Sequence, residues 1–277
     1  MTPHEYCQQK AVASGSSFYY SFLFLPPERR RAITALYAYC REVDDVVDEC
    51  TDPGVARTKL AWWREEVGNL YAGCARHPVT LALTEAITPY RIQQQHMLEL
   101  IDGMAMDLDY NRYPDFDTLK LYCHRVAGVV GLMSAGIFGY EHKSTLDYAA
   151  DLGLAFQLTN IVRDVGEDAR RNRIYLPLDE LQRYNVSEGD IQAARESDNF
   201  NKLMSFQIDR ALAHYDQAFS KLPDADRKPQ IPGIIMAAIY RTLLEEIRAD
   251  GGRVLTQRTS LTPVRKLWIA WKTWFKG

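Results

Sequence analysis

Apolar residues recur at spacings of three and four along most of the chain. Leu36, Tyr37, Cys40, Val43 and Val47 form one such series, and Leu154, Leu158, Ile161, Val162 and Val165 form another. That period marks one face of an α-helix. Alternating runs bounded by turn pairs, the mark of strands, are nearly absent. Pro26-Pro27 sets a proline in a first helical turn, so a helix is predicted from there to about Cys50. Thr51-Asp52-Pro53-Gly54 ends it. Further helices are predicted over Val55–Ala72, Gln94–Asn111, Phe116–Phe138, Ser144–Glu167, Phe200–Lys221 and Ile234–Asp250. A polar link, 168–172, should lead into Ile174-Tyr175-Leu176-Pro177, held extended by its proline. Residues 223–232 read as a proline-rich turn. With no fixed-period repeat, low-complexity tract or clear linker, a single all-α domain is predicted over 1–277.

Val126–Gly139 carries Gly128, Gly131, Gly136 and Gly139 among Ala127, Ser134 and Ala135. Small residues let a helix approach its neighbours closely. They also leave room for a long apolar ligand, and both readings stand at this level. The run is 14 residues, too short to span a bilayer.

Composition narrows the class. The chain has 277 residues, 47% hydrophobic and 25% charged, which is ordinary for a globular protein. Its net charge of −3 argues against nucleic acid as a partner. The five cysteines include no CxxC pair and the first ten residues are polar; a cytoplasmic, thiol-reduced location is expected. The nearest two of six histidines are 18 apart, so zinc is not expected. The charge is uneven: no acid follows Asp250, so residues 251–277 carry +6 and the rest −9.

Two acidic stripes carry the chemistry. Tyr37, Arg41, Asp44 and Asp48 fall within about 60° of one helix, with Asp45 at the edge. Gln157, Asn160, Asp164 and Asp168 span roughly 80° of another, with Glu167 nearby. Aspartate is a poor helix former, and like charges one turn apart repel. A solvated acidic face would more naturally use glutamate. Facing carboxylates need a cation. Oxygen donors without His or Cys point to Mg²⁺, or Mn²⁺, shared with substrate phosphates. Candidate ligands are Asp44, Asp45, Asp48, Asn160, Asp164 and Asp168. No Walker loop occurs, which disfavours a P-loop nucleotide site. Arg41, Arg163, Arg170, Arg171 and Arg173 are available to complete a polyphosphate site.

Leu152-Gly153-x-x-x-Gln157-x-x-Asn160-Ile161-x-Arg163-Asp164-Val165-x-x-Asp168, followed by Arg173-x-Tyr175-x-Pro177, resembles the second signature of squalene and phytoene synthases. Tyr37-x-x-Cys40-Arg41-x-Val43-Asp44-Asp45-x-x-Asp48 resembles their first aspartate motif. Ser16-Ser17-Phe18-Tyr19-Tyr20-Ser21-Phe22 and Tyr122-Cys123-His124-Arg125-Val126-Ala127-Gly128-Val129-Val130-Gly131 resemble two further family segments, in family order. The resemblance implies an all-α isoprenoid-synthase fold with a central cavity. It implies head-to-head joining of two prenyl diphosphates. Asp44, Asp48, Asp164 and Asp168 would hold Mg²⁺ against diphosphate, with Gln157 and Asn160 beside them. Arg41 and Tyr37 would contact diphosphate, and Phe18 and Phe22 would border the prenyl chains. Tyr122, Tyr37, Tyr175 and the released diphosphate are candidate proton acceptors. Arg125 stands where squalene synthases usually have Tyr, and a diphosphate contact is one role for it.

The wording is most similar to the hopanoid-pathway presqualene diphosphate synthases, which join two farnesyl diphosphates. Phytoene synthase with geranylgeranyl diphosphate, or squalene synthase completing a reductive step, are the alternatives. No nicotinamide cofactor is expected for the first step. A non-catalytic helical scaffold should have lost the aspartates kept here.

Residues 261–277 place Leu267, Trp268, Trp271 and Phe275 on one helical side with Trp274 beside them, flanked by Lys266, Lys272 and Lys276. Such a helix suits a membrane interface or docks its tryptophans back on the domain. Peripheral membrane contact, with downstream pathway enzymes as further partners, is the expectation carried forward.

Overall fold

A computed structural model describes residues 1–14 and 18–276, without side-chain detail at 19, 20 and 276. Ser16 and Ser17 lie outside the described residues. The elements are α1 (Pro3–Ala13), α2 (Phe18–Phe22), α3 (Pro27–Glu49), α4 (Pro53–Tyr71), α5 (Pro78–Ile87) and α6 (Gln94–Asp109). Next come α7 (Phe116–Cys123), a π-helical turn (His124–Gly128), α8 (Val129–Phe138) and α9 (Ser144–Arg170). Then follow α10 (Leu178–Arg183), α11 (Glu188–Gln192), α12 (Asp198–Lys221), α13 (Asp224–Arg227), α14 (Ile231–Ala249) and α15 (Pro263–Lys276). Among the described residues there is no strand, only an isolated bridge between Arg112 and Ile174. The all-α expectation holds.

The helix starts follow local chemistry. Proline stands in the first turn of α1, α3, α4, α5 and α14, where its missing N–H costs nothing. Asp52 caps α4 by accepting from the Gly54 and Val55 amides at 2.7 and 3.1 Å, and Ser197 caps α12. Two expectations fail. α9 runs on to Arg170, so Asp168 sits in its last turn and not in a polar link. The predicted helix over 116–138 is broken in phase by the π turn.

Two hydrophobic clusters form the interior. One joins α9, α12 and α14; the other joins α3, α4, α5, α6 and α8. Phe18 and Val126 pack against both. Between the clusters lies a cavity of about 620 Å³. The 23 residues Phe116–Phe138 are long and apolar enough to cross a bilayer by length and composition alone. Many of their residues face inward: Val129, Met133 and Ile137 are buried, and Val126, Val130 and Gly131 line the cavity, while Leu121 is exposed.

The glycine pattern serves both readings at once. A Cβ on Gly131 would lie 2.2 Å from the Ala149 carbonyl oxygen, and one on Gly153 would lie 2.4 Å from that of Ala127. The main chains of the 124–138 segment and α9 therefore touch, and Gly131 and Gly153 both border the cavity.

Candidate active site

α3, α9 and α14 run alongside the cavity and give it two ends. Ile33, Ser134, Ala149, Gln230 and Pro232 lie at one end. Asp44 and Asp48 of α3 lie at the other, with Asn160, Asp164, Glu167 and Asp168 of α9. The polar end also collects Arg41, Arg163, Arg171, Arg173, Arg258 and Lys266. A ligand with a polyanionic head and a long apolar tail matches this polarity.

Salt bridges tie the two stripes together. Arg41 donates to Asp44 and to Asp45, each at 2.6 Å. Arg173 donates to Asp48 at 2.9 Å and to the Val47 carbonyl at 3.1 Å. Arg171 reaches the other oxygen of Asp48 at 3.1 Å. Arg163 donates to both oxygens of Asp164, and Arg258 donates to the same carboxylate at 2.7 Å. The link after α9 thus crosses to α3. Its geometry begins at Asp168, whose carbonyl accepts from the Arg171 and Arg173 amides at 2.9 Å each.

The carboxylates are not equivalent. Burial pushes Asp44 up to about 7, against the opposing pull of Arg41. Burial, reinforced by neighbouring Asp164, does the same to Asp168. At Asp164 burial is outweighed by hydrogen bonds from Arg163 and Arg258, and the carboxyl stays below its ordinary range. Two high carboxyls facing one low one expect a cation. Asn160 adds a second sign: its Oδ1 is buried and has no hydrogen-bond partner. Among the described residues, however, no three Asp, Glu, His or Cys side chains converge on one point. The arginines hold the carboxylates in pairs. That fits Mg²⁺, which takes one or two carboxylates and completes its shell with water and phosphate.

Most of the residues singled out in the sequence line this cavity: Phe18, Phe22, Tyr37, Arg41, Asp44, Asp48, Tyr122, Gln157, Asn160, Asp164, Asp168, Arg173 and Tyr175. Two do not. Asp45 turns to Lys10 of α1 at 2.8 Å and is shared with Arg41, so it neutralises cations of the wall instead of facing the site. Arg125 is rotated out by the π turn. Its Cβ packs where a side chain on Gly103 would sit, and its guanidinium lies 3.5 Å from Met106 Sδ. Arg125, expected to contact diphosphate, thus lies off the cavity wall.

Three lining residues escaped the sequence reading. Asp107 of α6 accepts from Tyr122 at 2.9 Å and from Tyr175 at 2.8 Å. Burial raises it to about 6, although Arg173 and both phenols oppose the shift. The rings of Tyr122 and Tyr175 stack at 5.3 Å. Arg258 and Lys266 come from the basic C-terminal segment, so part of that charge lines the site, with Arg258 about half exposed. Higher up, Phe18 meets Phe156 edge-on at 5.8 Å and lies 6.3 Å from Tyr240, forming an aromatic collar below the charges.

Comparison with known proteins agrees with this arrangement. The squalene/phytoene synthase family model matches residues 11–265. The chloroplastic phytoene synthase of Narcissus pseudonarcissus is 36% identical over 270 residues, covering 95% of this chain and 64% of that protein. The chain thus spans less than two thirds of that relative. The 15-cis-phytoene synthase of Synechocystis is 34% identical over 286 residues, covering 99% of this chain and 85% of that one. A crystal structure of a dehydrosqualene synthase with ligand superposes with a TM-score of 0.86 at 25% identity, covering 98% of this chain and 95% of the other. With its two aspartate helices lining a cavity that ends in hydrocarbon walls, the chain belongs to the squalene/phytoene synthase family.

Proposed function

We propose that the protein joins two prenyl diphosphates head to head, and that the substrate is geranylgeranyl diphosphate. The observation that carries the reaction is the polarity of the cavity: two acidic stripes and six cations over an apolar tunnel. The chain length rests on depth and on the relatives. Fifteen residues of α9 separate Ala149 from Asp164, about 22 Å of helix. Four isoprene units of four main-chain bonds each need roughly 20 Å when extended. The phytoene synthases above point the same way, and away from the farnesyl substrate expected first.

Asp44, Asp48, Asp164 and Asp168, with the Asn160 amide oxygen, would hold Mg²⁺, which supplies charge neutralisation for departing diphosphate. Arg41, Arg173, Arg171 and Arg258 bind phosphate oxygens as the carboxylates exchange partners. The allylic cation then left on one chain is held below the charges. There the faces of Phe18, Phe156 and Tyr240 stabilise it, and the hydrocarbon walls exclude water. The double bond of the second chain attacks this cation. Closing the cyclopropane releases one proton. Tyr122 takes it: its oxygen receives the substrate proton as its own hydrogen passes to Asp107. Departure of the second diphosphate and loss of a further proton yield a hydrocarbon without any reductant.

The likeness to a dehydrosqualene synthase favours a second reading, farnesyl diphosphate condensed to presqualene diphosphate. One experiment separates the two: incubation with either diphosphate and Mg²⁺, without nicotinamide, and mass spectrometry of the products. A C40 product from geranylgeranyl diphosphate is expected. A product from farnesyl diphosphate alone moves the substrate to the second reading, and no condensation from either sinks both.

A further inference from the structure

The C-terminal helix docks on the protein with Trp274 at the seam, while Trp268 and Trp271 stay outside. Ile269 and Ala270 of α15 pack against the cluster of α9, α12 and α14, and Ala270 is fully buried. Arg265 pairs with Glu246 of α14 at 2.6 Å. The opposite face carries Val264, Leu267, Trp268, Trp271, Trp274 and Phe275, and Trp268 and Phe275 are 57% and 63% exposed. These rings are ordered against each other: Trp268 stacks on Trp271 at 5.3 Å, and Trp271 lies 4.7 Å from Phe275. Trp274 stacks on Phe24 at 5.5 Å, beside exposed Leu23. The patch therefore continues onto the end of α2, whose Phe18 and Phe22 line the cavity.

A contiguous aromatic face of this kind marks an interaction site. Its charge selects the occupant. Residues 251–277 hold six basic and no acidic residues. Arg253, Arg258 and Arg265 are spent on Asp250, Asp164 and Glu246 and Lys266 lines the cavity, whereas Lys272 on α15 is exposed. A second copy seated on this helix by a two-fold contact would set lysine against lysine, with no acid in the segment to meet it. An anionic lipid surface has the complementary sign, and tryptophan with lysine is the composition of an interfacial helix. We propose that α15, with Leu23 and Phe24, docks the protein on a bilayer bearing anionic headgroups. The docked face brings α2, one wall of the cavity, to the lipid. This inference does not depend on which prenyl diphosphate is the substrate.

The test is co-sedimentation of the full chain with vesicles of phosphatidylcholine alone or mixed with phosphatidylglycerol, with tryptophan emission read in parallel. Binding with a blue shift is expected on the mixed vesicles and much less on the neutral ones. Trp271→Glu should weaken binding at least about tenfold, with the circular dichroism spectrum and turnover of detergent-dispersed substrate retained. Lys272→Glu should weaken it about fivefold on the anionic vesicles only; should Trp271→Glu fail to fold, this exposed position carries the decision. No binding by the parent chain overturns the proposal. So does unchanged binding by the folded variants, or a dimer that Trp271→Glu dissociates while vesicle binding stays absent.

Discussion

The Tyr122 hydroxyl donates to Asp107 at 2.9 Å, and the other oxygen of that carboxylate accepts from Tyr175 at 2.8 Å. A single buried acid thus orients two phenols at the edge of the cavity. Burial, with Asp107 next in weight, lifts the Tyr122 hydroxyl well above its ordinary value. A phenolate is therefore not the base. The phenol can accept a proton only if Asp107, raised to about 6, takes the one it already holds.

Asp107→Asn is expected to lower turnover about a hundredfold, the usual worth of a positioned base, with helical content unchanged. Asparagine keeps the shape but cannot take the proton. At saturating Mg²⁺ and substrate, the parent enzyme should lose activity as pH falls through about 6, and the variant should lack that limb. An acid limb surviving in Asp107→Asn would assign it to another group.

Asp168 bears on stability as well as on binding. Its carboxyl is raised from 3.8 to about 7 by burial and by Asp164, and it sits in the last turn of α9, where a negative charge opposes the helix dipole. Between those two pH values the folded chain binds a proton that the unfolded chain has released. The contribution of this group to stability therefore falls as pH rises from about 4 to about 7, then levels. Asp168→Asn removes that cost. In chelator, the variant should match the parent in denaturant melts near pH 4 and exceed it by about 1–2 kcal/mol at pH 8, while turnover is lost. A variant less stable than the parent at pH 8 contradicts the assignment.

Protons at Asp168 and at Asp44 compete with the metal. Asp44 and Asp168 both titrate near 7, so Mg²⁺ binding in the presence of diphosphate should tighten from pH 6 to about 7.5 and level above. Calorimetric titration across that range reads it directly. A pH-independent affinity would remove these residues from the ligand set.

Much of this site was legible because helical periodicity and spacing are local. The acids of α3 and α9 recur on one face within a dozen residues, and α3, α4, α12 and α14 start where their prolines or caps stand. The misses come from contacts that spacing does not encode. Asp107 has no acidic partner one turn away on the cavity face; its partners lie 15 and 68 residues on. Asp45 shares the acidic run but is claimed by Lys10, from a helix whose weak apolar pattern left it unpredicted. Arg125 departs from the squalene synthase pattern in sequence, and from the π turn it packs toward α6. The C-terminal tail offered two readings, core or interface; the helix docks by Ile269 and Ala270, with Trp274 against Phe24, and leaves Trp268 and Trp271 outside.

Chain length should be set at the floor. Ser134 of α8 lines the far end of the cavity near Ala149 and Gln230, and it is only partly buried, so space remains beyond its hydroxyl. A phenylalanine there would project into the tunnel and occupy the volume that a fourth isoprene unit needs. Apolar chains bind in proportion to the surface they bury, so a shorter chain that ends before the block loses little. Ser134→Phe is therefore expected to cut C40 formation from geranylgeranyl diphosphate at least about tenfold, since a displaced terminal unit forfeits a few kcal/mol. Condensation of farnesyl diphosphate should stay within about twofold of the parent, because nothing near the aspartates moves. Competition between the two diphosphates, read as the C30 to C40 product ratio, measures the shift. An unchanged ratio in a folded variant would place the length determinant elsewhere along the tunnel.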